Sequence, residues 1–441
     1  MRHDLLDARL DSPPTAPDAR PAEWDETRSA EIAEREYPRV GCGALVLGGS
    51  HGALGVIRSL GRRGVPVWFA TDDHVLPGFS RHARVAVSWP GPNADRAVDH
   101  LFEIAARHRL DGWVLIPCAD EEARLIAQNH AALAEKFRLV TPPWAITRWA
   151  YDKRLTHERA ASLGLDFPRS YYPADRQSLL ELDLRFPVIL KPTVKIEGNA
   201  FTQAKAWRVD DMAALRARYD EAVALVGPTA IVVQELIPGR GATQFSYAGV
   251  WDRGRPVASL VARRSRQYPI DFGYTSTFVE TIDHEEVESA ACRFLGSLEY
   301  DGLAEVEFKY DTRDGRYKLL DVNARGWTWI ALGGRAGVDL PYLLWRLAMG
   351  ESLPVLRGRP GAAWMHASRD FIAACQEMAS GTLTPGAYMA SLRASPEFAA
   401  FALDDPLPGF LDMPVVISRF LRRRLPAMMR RQARRSTPPA S

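Results

Sequence analysis

The architecture of this chain is best inferred from two neighbouring segments, which read Gly302-Leu-Ala-Glu-Val-Glu-Phe-Lys-Tyr-Asp311 and Tyr317-Lys-Leu-Leu-Asp-Val-Asn-Ala-Arg325. Apolar and acidic residues alternate in both segments, which is typical of strands, and the residues from Asp311 to Gly315 are typical of a turn. The two segments therefore predict a β-hairpin with Arg325 at its exit.

A hairpin centred on Asp314 places two pairs of polar residues opposite each other, namely Glu307 with Asp321 and Glu305 with Asn323. Side chains two positions apart share one face of a strand, so these four side chains should converge. Carboxylates that face each other across a sheet repel, and the cluster therefore predicts a positive charge between them.

The four polar side chains of this cluster could together hold a metal ion. Their oxygen donors suit Mg²⁺, which completes its coordination shell with water and nucleotide phosphates, and Mn²⁺ is a possible replacement. Two other interpretations stay open from the hairpin alone. The acidic residues could form the solvent face of an ordinary hairpin, or they could bind Ca²⁺, although the chain has no Asp-x-Asp-x-Asp-Gly loop.

Composition excludes several classes of protein. The chain has 441 residues, of which 46% are hydrophobic, and this length suggests about three domains with substantial cores. Its formal net charge of +2 argues against a general nucleic-acid binder. The four cysteines are widely spaced and no long apolar run is present, which predicts a cytoplasmic protein with reduced thiols and no membrane span.

Hydrophobic periodicity predicts a mixed α/β and α+β chain of five regions. Residues 1–40 should form a flexible arm, 41–148 a parallel α/β domain, 149–350 two α+β subdomains, 351–412 a helical region and 413–441 a basic amphipathic tail. The α/β domain opens with a strand and the glycines Gly48 and Gly52, much like a dinucleotide-binding Rossmann unit. Because these glycines depart from the GxGxxG spacing, a simple packing turn is the alternative.

Several residues between the α/β domain and the hairpin could bind a nucleotide. Lys191 ends an apolar strand, where ligands bind in α/β folds, and Lys153 begins a helix. Gly198 lies in a polar loop whose backbone N–H groups could contact phosphate. The last residues of another apolar strand could offer main-chain hydrogen bonds to adenine; they are Gln234, Glu235, Leu236 and Ile237.

The order of these features along the chain resembles the ATP-grasp superfamily, from Gly43 to Gly350. The resemblance is strongest to the branch that contains D-aspartate ligase, carbamoyl-phosphate-synthase-like proteins and other carboxylate–amine ligases. Asp152-Lys153 matches the Asp-Lys pair that opens the ATP-binding region of this branch, and the segment from Gln234 to Gly239 matches its Gln-Glu-x-Ile-Pro-Gly hinge.

This resemblance implies an ATP-grasp fold with an N-terminal Rossmann-like pre-ATP-grasp domain, which need not bind NAD, and a helical C-terminal extension. It implies that Lys153 and Lys191 hold the phosphates of ATP and that the hinge contacts adenine. It also implies that Glu307, Asp321 and Asn323 are the ligands of Mg²⁺. Arg325 would act on the γ-phosphate or on an acyl-phosphate, so that Arg325 and Lys191 are the expected catalytic residues. The implied reaction activates a carboxylate with ATP and couples it to an amine.

The chain departs from the branch in two places. The loop after Lys191 has only Gly198 near its tip, where the family usually has several glycines, and Leu236 replaces a frequent aromatic residue. A non-catalytic or regulatory ATP-binding protein on a degenerate ATP-grasp frame is therefore the alternative function. A dinucleotide-dependent oxidoreductase is a third possibility.

Two groups of arginines suggest further partners. Arg263 and Arg266 precede the hairpin and could grip a substrate carboxylate, or they could belong to a surface ion-pair cluster. The tail from Met413 combines arginines with apolar residues, which suits an anionic membrane surface or an acidic partner as well as a solvated tail. The expected substrates are small-molecule carboxylates and amines, without nucleic acid, and a homo-oligomer is open.

Overall fold

The computed structural model describes residues 42–193, 199–203, 206–239, 241–270 and 275–418. The predicted flexible arm, Gly198 and the greater part of the predicted basic tail lie outside these residues. The described chain forms three sheets, and the expected α/β plus α+β architecture is confirmed.

The first domain is built on a five-stranded parallel sheet with the order β3-β2-β1-β4-β5. Its strands and helices are β1 Ala44–Leu47, α1 His51–Gly61, β2 Val67–Thr71, β3 Val85–Ser88, α2 Ala97–His108, β4 Val114–Pro117, α3 Asp120–Gln128, α4 His130–Ala134 and β5 Arg138–Leu139. Strands β1 and β4 are buried along their whole length, as apolar runs in a parallel sheet covered on both faces should be.

A helical hairpin and a small domain follow. The helices are α5 Trp144–Tyr151 and α6 Lys153–Ser162. The small domain has a four-stranded antiparallel sheet of order β6-β9-β7-β8. Its elements are β6 Ser170–Tyr171, α7 Arg176–Leu180, β7 Val188–Pro192, α8 Ala200–Gln203, β8 Trp207–Val209, α9 Met212–Val226 and β9 Ile231–Glu235. Leu190, Tyr219 and Val233 pack in a core of its own.

The largest sheet has eight strands in the order β14-β13-β10-β11-β12-β16-β17, with β15 added beside β11. Its strands are β10 Gln244–Asp252, β11 Arg255–Tyr268, β12 Thr275–Ile282, β13 Gly302–Asp311, β14 Arg316–Asn323, β15 Leu356–Arg357, β16 Ala363–Met365 and β17 Glu397–Phe398. The helices are α10 Glu285–Gly296, α11 Leu332–Arg335, α12 Leu340–Ala348, α13 Ala367–Ala379 and α14 Pro385–Leu392. Residues 407–418 form a further helix, α15.

Side chains alternate in direction along the long strands, so the two faces of this sheet pack against different parts of the protein. On one face, Val306 and Phe308 of β13 pack against Phe294 of α10. On the other face, Leu260 shares a core with Ile57 of the first domain. The first domain and the large sheet are thus joined by one continuous apolar core, and the polar end of the shared face lies beside the first domain.

The region expected to be helical, residues 351–412, contains α13, α14 and the start of α15. It also contains three short strands, β15, β16 and β17, which extend the large sheet. Each has only two or three residues, so its periodicity is too short to identify a strand from sequence.

Candidate active site

The acidic hairpin has the register that the sequence predicts. Glu305 pairs with Asn323 and Glu307 pairs with Asp321 in the ladder between β13 and β14. Asn323 Nδ2 donates a hydrogen bond of 3.0 Å to Glu305 Oε2 and one of 3.1 Å to Glu307 Oε1. The two carboxylates and the amide therefore converge on one face, which is the polar end of the face shared with the first domain.

The two glutamates are deeply buried. Glu305 is 2% exposed, and burial followed by the neighbouring charge of Glu307 raises its pKa to about 7. Ser246 Oγ donates to Glu305 Oε1 at 3.0 Å, and Arg264 Nη2 lies 3.4 Å from Glu307 Oε2. Gln244 Nε2 also donates to Glu307. Two carboxylates buried this close together repel each other, and a cation between them would relieve that repulsion.

The predicted lysines stand beside this cluster. Lys153 Nζ donates to Asp321 Oδ2 at 2.7 Å, and Lys191 Nζ donates to Gln234 Oε1 at 2.9 Å. The positive charges of both lysines act on His157. Its burial, and then the charges of Lys153 and Lys191, lower its pKa to about 4. The structure therefore pairs the Lys153 cation of α6 with the carboxylate of β14 and holds the Lys191 cation of β7 against the end of β9.

Arg325 connects the hairpin to the first domain. Its Nη2 donates to Asp120 Oδ2 at 3.1 Å and to Asn323 Oδ1 at 2.9 Å. Burial alone would lower the pKa of Arg325, but the carboxylate of Asp120 and those of Glu305 and Asp321 raise it above its usual range. The guanidinium is thus a permanent positive charge fixed at the edge of the acidic cluster.

The predicted adenine-binding segment ends β9, against β7. Gln234 pairs with Ile189 of β7, and Gln234 Nε2 donates to Ser170 Oγ at 2.8 Å. The backbone N–H of Leu236 donates to the carbonyl of Pro187 at 3.4 Å, and Ile237 is buried.

The side chain of Glu235 is engaged in an ion-pair cluster. Its Oε1 accepts from Lys318 Nζ at 3.1 Å and its Oε2 from Arg313 Nη2 at 3.0 Å. Both cations also contact the fully buried Asp311. This cluster connects the end of β9 to the turn of the acidic hairpin.

The structure does not bring Arg263 and Arg266 to the carboxylate cluster. Arg263 pairs with Glu280 and lies on the opposite face of β11 from Arg264, with its Nη2 3.5 Å from Glu280 Oε2. Arg266 is buried against α13, where its Nε and Nη2 donate to the carboxylate of Asp370 at 2.9 and 2.8 Å. Arg266 therefore forms a buried ion pair with α13.

Sequence reasoning missed several residues that complete the cluster. Gln244 and Ser246 could have been found, because they alternate on the strand next to β13. Arg264 is one of three nearby arginines, and only the register of β10 and β11 distinguishes it, by placing it opposite Gln244. Asp120 carries no local signal, since it reaches Arg325 only through packing of the first domain.

Comparison with known proteins agrees with this geometry. Residues 274–356 match the family model described as carbamoyl-phosphate synthase L chain, ATP binding domain. The L-amino acid ligase of Bacillus licheniformis superposes with a TM-score of 0.54 at 18% identity, covering 73% of this chain and 78% of that chain. The N5-carboxyaminoimidazole synthetase of Staphylococcus aureus, solved with ADP, superposes with a TM-score of 0.56 at 14% identity, covering 72% and 79%.

The chain has the ATP-grasp fold. Within this fold, sequence similarity extends beyond the matched domain. The D-aspartate ligase of Enterococcus faecium (strain Aus0004) is 24% identical over 300 residues, which cover 64% of this chain and 70% of that protein.

Proposed function

We propose that this protein is an ATP-dependent ligase that activates a carboxylate as an acyl-phosphate and couples it to an amine, with release of ADP and phosphate. The observation that carries the proposal is the buried group of Glu305, Glu307 and Asn323, flanked by the Lys153–Asp321 pair and by Arg325. The similarity to proteins named D-aspartate ligase and L-amino acid ligase supports the same reaction class.

The nucleotide would bind between the small domain and the acidic hairpin. Lys153 and Lys191 supply positive charge for its phosphates, and the residues from Gln234 to Ile237 supply main-chain groups for adenine. Gly198 belongs to the loop after Lys191 and lies outside the described residues. The two lysines come from α6 and β7, so that the triphosphate would contact both subdomains.

The donor set fits a hard divalent cation. Glu307, Asp321 and Asn323, together with Glu305, offer side-chain oxygens from two adjacent strands, and three of the four are carboxylates. Such oxygens would hold Mg²⁺, or Mn²⁺ in its place. A cation bound here would neutralise phosphate charge.

The chain's own residues would act by positioning and charge. A carboxylate substrate and ATP repel each other, and charge shifts onto the transferring phosphoryl group as a carboxylate oxygen attacks it and ADP leaves. Arg325, held by Asp120 and Asn323, would counter that charge without rearrangement. The amine nitrogen then attacks the acyl carbon, loses a proton and expels phosphate, so no side-chain nucleophile is required.

The test is an assay of ADP release over a panel of carboxylates and amines supplied singly and in pairs with Mg·ATP. Release that requires both members of a pair, with the amide detected by mass spectrometry, would support the proposal. Binding of Mg·ATP by calorimetry without release for any pair would favour the non-catalytic ATP-binding alternative. Absence of binding would overturn both.

We also propose that the C-terminal segment contacts an anionic membrane surface. Helix α15 exposes Phe410, Met413 and Ile417, and eight arginines follow from residue 419 onward. No helix among the described residues is long and apolar enough to span a membrane. Full-length protein should float with anionic liposomes, and a chain ending at residue 418 should not; equal flotation of the two would refute the contact.

The proposal also covers the cellular location of the protein and its oligomeric state. Cys42, Cys118, Cys292 and Cys375 are all free thiols in the structure, which supports a reducing, cytoplasmic environment. Sedimentation of the full chain with and without Mg·ATP would determine whether the enzyme is a homo-oligomer.

A further inference from the structure

Three residues that are distant in sequence meet in a buried cluster outside the proposed ligase site. His51 begins α1, His366 immediately precedes α13, and Asp412 lies in α15. One ligand atom from each residue lies within 4.8 Å of those of the other two, and the residues are 5%, 1% and 6% exposed. The cluster therefore joins the first domain, the large sheet and the last described helix.

Each imidazole is oriented by a serine. Ser50 Oγ lies 3.2 Å from His51 Nδ1, and Ser368 Oγ lies 3.3 Å from His366 Nδ1. This arrangement directs the Nε2 atoms to other partners, and His51 Nε2 lies 2.9 Å from Asp412 Oδ1. Histidine ligands of metals usually have such a hydrogen bond on the second nitrogen, because it fixes the tautomer and the ring orientation.

His366 has an unsatisfied polar atom. Its Nε2 is buried and has no hydrogen-bond partner among the residues that the structure describes. Leaving a buried polar atom unpaired costs free energy, so a partner at this position is expected. The two imidazole rings are only 4.3 Å apart between centroids, at an interplanar angle of 57°, so a single ion could lie within reach of both.

We propose that His51, His366 and Asp412 bind one Zn²⁺ ion. Zinc takes imidazole nitrogen and carboxylate oxygen at about 2.0–2.2 Å, which places tetrahedral ligands roughly 3.3–3.5 Å apart. His51 Nε2 and Asp412 Oδ1, now 2.9 Å apart, would separate slightly, and His366 would approach them from within 4.8 Å. Three protein ligands leave a fourth position for water. Imidazole ligands also favour zinc over magnesium, which separates this site chemically from the oxygen ligands of the acidic hairpin.

The surrounding charges are compatible with this assignment. His366 is 1% exposed, and its unpaired Nε2 can offer a lone pair to a metal when the imidazole is neutral. The positive charge of Arg369 would repel a metal ion, and the negative charge of Asp412 offsets this repulsion. Because the ligands come from three parts of the fold, zinc would stabilise their association.

The test is metal analysis of the full-length protein. After removal of metal with a chelator, one equivalent of Zn²⁺ should bind and raise the thermal unfolding temperature. The variants His366→Gln and Asp412→Asn should weaken Zn²⁺ binding by at least about tenfold. His108→Gln is the matched control, because His108 is half-buried on the distant helix α2, and it should bind zinc as the wild type does.

Two measurements distinguish zinc binding at this site from zinc binding elsewhere on the protein and from the effects of a misfolded variant. One equivalent of Zn²⁺ should still bind when Mg²⁺ is present in large excess, because Mg²⁺ competes for the oxygen ligands of the acidic hairpin and not for imidazole. X-ray absorption of the wild-type zinc protein, which needs no variant, should show two imidazole ligands with oxygen. Absence of stoichiometric zinc, an all-oxygen or sulfur shell, or full zinc binding by folded His366→Gln would overturn the proposal.

Discussion

At the scale of the single residue, Asp321 offers the most direct test of the ligase proposal. Its Oδ2 accepts from Lys153 Nζ at 2.7 Å, and it pairs with Glu307 across the hairpin. Asp321→Asn keeps the shape but removes the charge, so ADP release with the cognate substrates should fall about 10²- to 10³-fold. Asp314→Asn, in the turn of the same hairpin, is the control and should retain activity. Unchanged turnover in Asp321→Asn would refute the metal assignment.

Glu305 predicts a dependence of stability on pH. Burial and Glu307 raise its pKa from 4.5 to about 7 in the folded state. Between these values the folded protein binds more protons than the unfolded chain, so this contribution is complete below pH 4.5 and is lost as the pH rises through 7. Relative to Glu305→Gln, the wild type should lose on the order of 3 kcal/mol of unfolding free energy over this range.

Urea unfolding at pH 5 and pH 8, without divalent cations, measures this difference. Glu285→Gln is the matched control, because Glu285 is exposed at the start of α10. If the wild type and Glu305→Gln change in parallel with pH, Glu305 does not carry a raised pKa.

At the scale of the element, the acidic hairpin was predictable because its signals are local. Turn residues and alternation determine which side chains oppose each other, and the pairings of Glu305 with Asn323 and of Glu307 with Asp321 are confirmed. The predicted centre at Asp314 gives the pairings observed at the site. Next to the turn, however, Asp311 lies opposite Arg316, so the strands there pair about a point between residues 313 and 314. A register shift of one residue between Glu307 and Phe308 accounts for the difference.

Strand β11 shows where such reasoning fails. Strict alternation would place Arg264 and Arg266 on one face and Arg263 on the other. A bulge between Arg264 and Arg266 breaks the alternation, so that Arg264 contacts Glu307 while Arg266 contacts Asp370 of α13. The local sequence shows neither where a bulge lies nor which helix covers a face of the sheet. It therefore could not identify Arg264 as the arginine of the site.

The Arg266–Asp370 pair should be important for stability. Both side chains are almost completely buried, and removing one partner leaves an uncompensated charge. Arg266→Met should therefore lower the free energy of unfolding by about 3–5 kcal/mol in a urea titration. Arg263→Gln, on a half-exposed side chain paired with Glu280, should change it by no more than about 1 kcal/mol. Similar effects of the two substitutions would contradict the structural role of Arg266.

At the scale of the whole molecule, contacts over long sequence separations were not predictable. Asp120 and Arg325 are 205 residues apart, and His51 and Asp412 are 361 residues apart. Their neighbours in sequence give no indication of these partners. Packing of the first domain on the large sheet creates the first contact, and packing of α15 on the first domain creates the second. The sequence therefore predicted the acidic hairpin of the candidate site better than the side that faces the first domain.

Asp405 connects the C-terminal region to the first domain. Its carboxylate accepts from Arg58 Nε at 2.9 Å, from Ser80 Oγ at 2.6 Å and from the backbone N–H of Arg81 at 3.0 Å, and it is buried. Asp405→Ala should lower the free energy of unfolding by about 3–5 kcal/mol, because Arg58 loses its buried partner.

The neighbouring Asp404 provides the comparison for this prediction. It pairs with Arg62 at the surface, and Asp404→Ala should cost no more than about 1 kcal/mol. Chemical denaturation of both variants measures the difference. A cost for Asp405→Ala as small as that for Asp404→Ala would show that this connection does not hold the two regions together.

The contact between Asp120 and Arg325 has a consequence for how this enzyme could be re-engineered or could diversify. A chimera that received its first 148 residues from a relative would keep the arginine but would take its counter-charge from the donor. If the donor had no acid at the start of the equivalent helix, the graft would leave a partly buried cation without a counter-charge. Exchange of the first domain between relatives should therefore succeed only when the acid and the arginine are both retained.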